Sequence, residues 1–179
     1  MYQQRQPKKT KSSPFSSKEA EAAQPSLRGR ALRMLGRREF SRVELQKRLR
    51  GFVEAGKEHE LEALLDDLAE RGWLSDERFA DALVRKRKGQ FAHRSIAREL
   101  KQAGVDEDVT SAALSEIDPD EEFAAALALV RRKFRKAPAD QKEKARQIRF
   151  LQSRGYGFGL ALRVIKHADS PPEQEPDQP

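Results

Sequence analysis

The side chains best placed to do chemistry in this chain are runs of lysine and arginine. Arg85-Lys86-Arg87-Lys88 and Arg131-Arg132-Lys133-Phe134-Arg135-Lys136 stand where helices are predicted to end, with Arg37-Arg38 a weaker counterpart earlier. The helix dipole favours cations at that end, so capping accounts for part of each run. Four or five in succession exceed what capping needs. Arg94, Arg98 and Lys101 on one neighbouring helix, and Lys142, Lys144, Arg146, Arg149 and Arg154 on another, extend the same positive character. Lys142, Arg146 and Arg149 fall on a single helical face. A face of this kind neutralises phosphates without reading sequence, and its binding falls steeply with salt. The expected site is therefore a basic surface built from Arg85, Lys86, Arg87, Lys88, Arg94, Arg98, Lys101, Arg131, Arg132, Lys133, Arg135, Lys136, Lys142, Arg146, Arg149 and Arg154.

Other motifs fail on their surroundings. Gly51-Phe52-Val53-Glu54-Ala55-Gly56-Lys57 fills the first seven places of a phosphate-binding loop, but Glu58 stands where Ser or Thr must hold magnesium. That motif also needs a strand before it, and a helix is predicted there instead. Gly155-Tyr156-Gly157-Phe158-Gly159 lacks the preceding apolar strand and the spacing of a dinucleotide fingerprint. It reads as a turn whose aromatics could stack on bases. His59, His93 and His167 fall into no metal-ligand spacing. Asp66-Asp67 and Asp106-Glu107-Asp108 read as solvated surface and helix capping rather than acid–base pairs. No catalytic residue, cofactor or metal is expected.

The elements that must carry the basic surface are helical throughout. Ser41 with Glu44 forms a predicted capping box, opening a helix that presents Leu45, Leu49, Phe52 and Val53 on one side. Leu61, Leu64, Leu65 and Leu68 stripe the next helix; Gly72 ends it, with Trp73 expected to pack back on the last turn. Asp118-Pro119-Asp120-Glu121 opens another, behind which Phe123, Leu127, Val130 and Phe134 keep the 3.6-residue spacing. The unit repeats. Ile96-Ala97-Arg98-Glu99-Leu100-Lys101-Gln102-Ala103-Gly104 aligns with Arg146-Gln147-Ile148-Arg149-Phe150-Leu151-Gln152-Ser153-Arg154-Gly155, each leucine four residues before its glycine. Glu44-Leu45-Gln46-Lys47-Arg48-Leu49 is the looser first copy, reaching Gly56 after a few extra residues. A repeated helical unit predicts an elongated, curved array that offers a surface rather than a pocket.

Composition agrees. Of 179 residues, 36% are charged and only 7% aromatic, which suits thin layers between amphipathic helices better than one thick core. The absence of cysteine fits a reducing cytoplasm. The apolar run Phe123 to Val130 is too short for a membrane span, and lysines near the amino terminus have no apolar stretch behind them. The net charge is +7, and residues 119–168 alone hold 12 basic against 5 acidic side chains. Such a balance attracts polyanions, nucleic acid foremost. The expected organisation is a disordered basic tail at residues 1–26, three-helix repeats at 27–75, 76–118 and 119–168, and a disordered acidic tail at 169–179.

Four segments in order resemble the RecX family, bacterial regulators of the RecA recombinase. Arg71-Gly72-Trp73-Leu74-Ser75-Asp76-Glu77-Arg78-Phe79-Ala80 is similar to its signature of glycine, aromatic, leucine, small residue, then Asp-x-x-Phe-Ala. Ala31-Leu32-Arg33-Met34-Leu35, with Arg38-Glu39-Phe40-Ser41 and Glu44-Leu45, resembles the family's opening. Ile96 through Val105 resembles the middle "Ile-x-x-Glu-Leu-x-x-Lys-Gly-Ile" stretch. Arg131-Arg132-Lys133-Phe134 and Lys144 through Tyr156 resemble the close, "Arg-Lys-Phe … Phe-Leu-x-x-Arg-Gly-Tyr". The resemblance spans residues 27–168. It departs at Gly89-Gln90-Phe91-Ala92-His93, where the family carries a Gly-x-Gly-Pro turn, and at Ala103, where the family has lysine.

The resemblance implies three tandem three-helix repeats without catalytic residues. It also implies a protein that lodges in the groove of the RecA filament on single-stranded DNA and blocks extension or promotes disassembly. RecA's ATPase, strand exchange and co-protease activities would fall. The implied partners are the RecA filament and single-stranded DNA, with duplex DNA second; no membrane is implied, and a monomer is expected. A helix-turn-helix DNA-binding regulator and a protein-interaction solenoid without nucleic-acid contact are the competing readings of the same repeats.

Overall fold

The computed structural model describes residues 25–115, 118–134 and 136–168; the expected tails, apart from Pro25 and Ser26, and Arg135 lie outside them. Among the described residues the elements are α1 (Leu27–Leu35), α2 (Arg42–Leu49), a 3-10 turn (Arg50–Phe52), α3 (Glu58–Glu70), α4 (Asp76–Arg87), α5 (His93–Gln102), α6 (Glu107–Ser115), α7 (Pro119–Lys133), α8 (Gln141–Ser153) and α9 (Phe158–Ala168), with no strand. The chain is all-α, a tandem of three-helix repeats: α1–α3, α4–α6 and α7–α9 pack mainly among themselves.

Each unit has its own core. Ala31, Phe40, Leu45, Leu49, Leu61, Leu65, Leu68 and Leu74 fill the first. Phe79, Ala80, Val84, Ile96, Leu100 and Val105 fill the second, and Ala126, Leu129, Val130, Ile148, Leu151, Tyr156, Ala161, Val164 and Ile165 the third. Each large aliphatic side chain so buried contributes roughly 1.5–3 kcal/mol. Every unit is shorter than the roughly 60 residues at which a lone domain is already marginal, so the seams between units matter.

Local signals set most helix ends. Ser41 Oγ accepts from the Glu44 amide (3.1 Å), Asp118 Oδ1 from the Asp120 amide (2.9 Å) and Asp140 Oδ1 from the Glu143 amide (2.7 Å). The predicted capping box forms only half: the Glu44 carboxylate pairs with Arg38 (2.9 Å) instead of returning to its own cap. Two side chains differ from expectation. α2 stops at Leu49, so Phe52 lies on the following turn and is exposed, with Arg30 over its ring at 4.2 Å. Trp73 does not pack back; the positive φ of Gly72 swings Leu74 into the core, and Trp73 stays 45% exposed between Arg28 and Arg71.

The two seams are built alike. The residue before the glycine that ends the second helix of units two and three turns its carbonyl to the N-cap residue of the preceding unit's second helix. Ser41 Oγ donates to Ala103 O (2.6 Å), and the Ala92 amide donates to Arg154 O (3.0 Å). One residue on, the first amide of that helix is capped by an acid from the next unit's opening helix. Arg42 N donates to Asp76 Oδ1 (2.8 Å), and His93 N donates to Glu122 Oε1 (3.0 Å). Amides at a helix start have no partner within the helix, and a carboxylate there also meets the positive dipole end. The glycines themselves must be small as well as left-handed. At Gly104 (φ +79°) a Cβ would lie 2.4 Å from Val43 Cγ2, and at Gly155 (φ +93°) 2.6 Å from Ser95 Cβ.

Gly72 (φ +69°) provides the control, since a Cβ there meets nothing within 4 Å. Gly72→Ala is expected to cost about 1–2 kcal/mol, the left-handed penalty alone. Gly104→Ala adds overpacking and is expected to cost about 3 kcal/mol, partly recovered in Gly104→Ala/Val43→Ala. Urea unfolding followed by circular dichroism checks the difference; equal losses would remove the seam argument.

Candidate nucleic-acid interface

The predicted cations divide by what they touch. At the end of α4, Arg87 makes a two-pronged pair with Glu99 (Nε to Oε2 2.9 Å, Nη2 to Oε1 2.6 Å), and this bonding holds its guanidinium above the usual arginine range. Lys88 crosses to the third unit and pairs with Glu121 (2.7 Å). Arg94 donates through Nε to Gly155 O and through Nη2 to Tyr156 O (3.0 Å). Arg154 lies over Phe91 (4.9 Å) and Phe150 (5.6 Å) while its carbonyl serves the seam. Lys88, Arg94 and Arg154 are seam residues first and Arg87 is spent inside the second unit, so all four have part of their charge already matched.

The others face solvent. Arg85, Lys86, Arg98, Lys101, Arg131, Arg132, Lys133, Lys136, Lys142 and Arg149 are exposed and, among the described residues, form no ion pair. Arg146 is exposed too, with its guanidinium 5.9 Å from the Phe134 ring centre. Arg135 lies outside the described residues. On α5, Arg94, Arg98 and Lys101 follow i, i+4, i+7; on α8, Lys142, Arg146 and Arg149 do the same. Both rows stand away from the buried pairs of their helices, so the core forces them outward.

One cation escaped the sequence reading. The buried pairs Leu45 and Leu49, Ile96 and Leu100, and Gln147 and Leu151 occupy equivalent places on α2, α5 and α8. Two residues before the second member of each stands an exposed cation: Lys47, Arg98 and Arg149. The repeat therefore presents one basic position per unit, and Lys47 was missed because its neighbourhood lacks a conspicuous run. Lys47 and Lys86 also line a cleft of about 610 Å³ where the first and second units meet. The turn aromatics do not act together: Phe158 is exposed, but Tyr156 is buried in the third core. Burial, reinforced by the charge of Glu122, pushes the Tyr156 phenol up to about 12. Among the described residues no cluster of His, Asp or Glu is arranged to hold a metal, and no helix is long and apolar enough to cross a membrane.

Sequence models of the second and third three-helix domains of RecX match residues 75–114 and 120–165. A protein of Chromobacterium violaceum called regulatory protein RecX is 45% identical over 140 residues, covering 78% of this chain and 89% of that one. One of Neisseria meningitidis with the same name is 39% identical over 145 residues, 81% of this chain and 92% of that one. The chain belongs to the RecX family. The crystal structure of RecX from Lactobacillus salivarius shares the fold, with a TM-score of 0.64 at 16% identity over 80% of this chain and 94% of that one. The family's second and third three-helix domains coincide with the second and third clusters of buried side chains, so the seam between those two joins units that the family itself defines.

Seam cations and surface cations separate experimentally. Arg94→Ala removes two charge-assisted bonds to carbonyls and is expected to cost about 1–2 kcal/mol of stability. Arg98→Ala, four residues along the same helix, is expected to stay within about 0.5 kcal/mol. Thermal melts of both variants check this; a stable Arg94→Ala protein would return Arg94 to the surface set.

Proposed function

We propose that this chain is a negative modulator of the RecA recombinase. It lodges along the groove of the RecA filament on single-stranded DNA, blocks extension or promotes disassembly, and so lowers ATPase, strand exchange and co-protease activity. Membership of the RecX family supports the regulatory reading. The observation that carries the mode of binding is the row of exposed, unpaired cations repeated from unit to unit, Lys47, Arg98 and Arg149, backed by Arg131, Arg132 and Lys133 at the end of α7. A filament is itself periodic, and a tandem array with one cation per unit can meet successive phosphates or acidic patches in register. The cations lie on helix faces, where backbone rigidity holds them, and they have no competing internal partner to give up on binding. On this reading the protein works in the cytoplasm as a monomer, without catalytic residues, with RecA and single-stranded DNA as partners and duplex DNA second.

The test is RecA's single-strand-dependent ATPase, measured after substoichiometric protein is added to preformed filaments. The wild-type chain is expected to reduce the rate after a lag. The triple variant R131E, R132E, K133E is expected to lose this inhibition with its helical circular dichroism unchanged, apart from roughly 0.3–1 kcal/mol per residue of lost dipole complementarity. Full inhibition by the variant would remove α7 from the interface. An inert wild-type protein that still binds DNA would point instead to a general DNA-binding regulator.

A further inference from the structure

The repeat contains its own control for unusual residues. At the first buried position of the second helix, unit one has Leu45 and unit two has Ile96, both fully buried, while unit three has Gln147. Gln147 is only 4% exposed, and its Oε1 has no hydrogen-bond partner. Its Nε2 reaches the Lys136 carbonyl at 3.5 Å, a long contact that turns the amide so its oxygen is the unused group. A buried acceptor left empty costs about 1–3 kcal/mol, and the two sister units show that an aliphatic residue would avoid that cost.

Gln147 lines a groove of about 250 Å³ together with Phe134, Lys136, Glu143 and Arg146. This is smaller than the roughly 300–1,000 Å³ of sites for drug-sized molecules and suits a single ring system. Phe134 is held edge-on by Phe150 (ring centres 5.5 Å, 81°), so its orientation is fixed by the core. Arg146 lies near the outer limit of a cation–π contact with that ring. Glu143 is engaged elsewhere: its carboxylate accepts from the Ala139 amide (2.9 Å) at the start of α8. Lys136 and Arg146 outnumber it at the rim.

We propose that this groove is a nucleobase pocket, in which Gln147 Oε1 accepts an N–H from the base edge, Phe134 stacks on the base, and Lys136 and Arg146 hold the adjoining phosphates. The ligand class is an unpaired nucleotide of a single strand, because a base inside a duplex offers neither its face to a ring nor its pairing edge to an amide. Every base carries at least one N–H on that edge, so the pocket distinguishes a base from no base far more than one base from another. It rests on the reading of this surface as DNA-binding and adds to it a contact that is not electrostatic.

The experiment is fluorescence anisotropy of the full chain with labelled single strands of equal length: thymidine, N3-methylthymidine, which lacks the edge N–H, and abasic. Wild type is expected to bind thymidine about fivefold tighter than the methylated strand, as one hydrogen bond supplies, and roughly tenfold tighter than the abasic strand. Gln147→Leu, which restores the residue type of the sister units and removes the empty acceptor, is expected to raise its thermal midpoint, lose about fivefold on thymidine and lose nothing on the other two. Phe134→Leu should narrow the gap to the abasic strand. Equal wild-type affinity for all three strands, or equal losses by Gln147→Leu on all three, overturns the pocket while the basic surface stands. No binding to any strand overturns the DNA reading beneath it as well.

Discussion

The structure depends on two helix-start amides and what caps them. Arg42 N and His93 N open the second helices of units one and two, and each is answered by a carboxylate, Asp76 or Glu122, from the unit that follows. Beside them a carbonyl, from Ala103 or Arg154, meets the N-cap residue. Backbone amides and carbonyls cannot vary with sequence, which is why the same joint serves twice despite different side chains around it. Ser41 meets its carbonyl with a hydroxyl, and Ala92 meets its carbonyl with its own amide. The geometry survives this change because the glycines on the far side let two backbones approach more closely than any Cβ would permit.

Joints of this kind have consequences for the basic surface. The extensive helix packing is confined within units, and Ala92 is the buried residue that carries one unit's chain into the next unit's core. Orientation between units therefore comes from directional hydrogen bonds and charge pairs rather than from a shared apolar layer. Arg78 with Glu39 (3.1 Å) and Lys88 with Glu121 (2.7 Å) brace the two seams, each largely exposed and worth little alone. A chain this basic spends some of its cations on the seams, pairs others within units, as Arg42 with Asp66 and Arg87 with Glu99, and leaves a further set on the surface without an ion pair. The unpaired ones sit where the cores, not the seams, fix their direction.

The helices and their class were legible because their causes are local: Ser41 and Asp118 cap in place, and leucine stripes recur at helical spacing. Gly104 and Gly155 were legible as helix terminators, yet their second duty was not. Nothing within α5 reveals that Val43, some sixty positions earlier, comes to lie against Gly104. The same limit explains the basic runs. Arg85 and Arg87 are alike in sequence, but Arg87 faces Glu99 and Arg85 does not, a distinction made only when α4 and α5 pack. Trp73 was misplaced because the left-handed glycine before it allows either of the next two residues to turn inward. Leu74 is the one buried here, and Trp73 stays outside.

Internal repetition separates what a position needs for folding from what it needs for anything else. Where units agree, as in Leu49, Leu100 and Leu151 or in the cations Lys47, Arg98 and Arg149, the common environment explains the residue: buried in the first set, driven outward in the second. Where they disagree, the environment is insufficient. Gln147 sits where two sister residues show that an aliphatic side chain completes the core, and it leaves an acceptor unfilled there. A core that tolerates such a residue forgoes stability in the unit that also carries the greatest excess of positive charge, 12 basic against 5 acidic side chains. The departure and the charge thus fall on the same helix, Gln147 lying between Arg146 and Arg149. That coincidence argues that unit three carries a ligand contact of its own, beyond the exposed cation that all three units share.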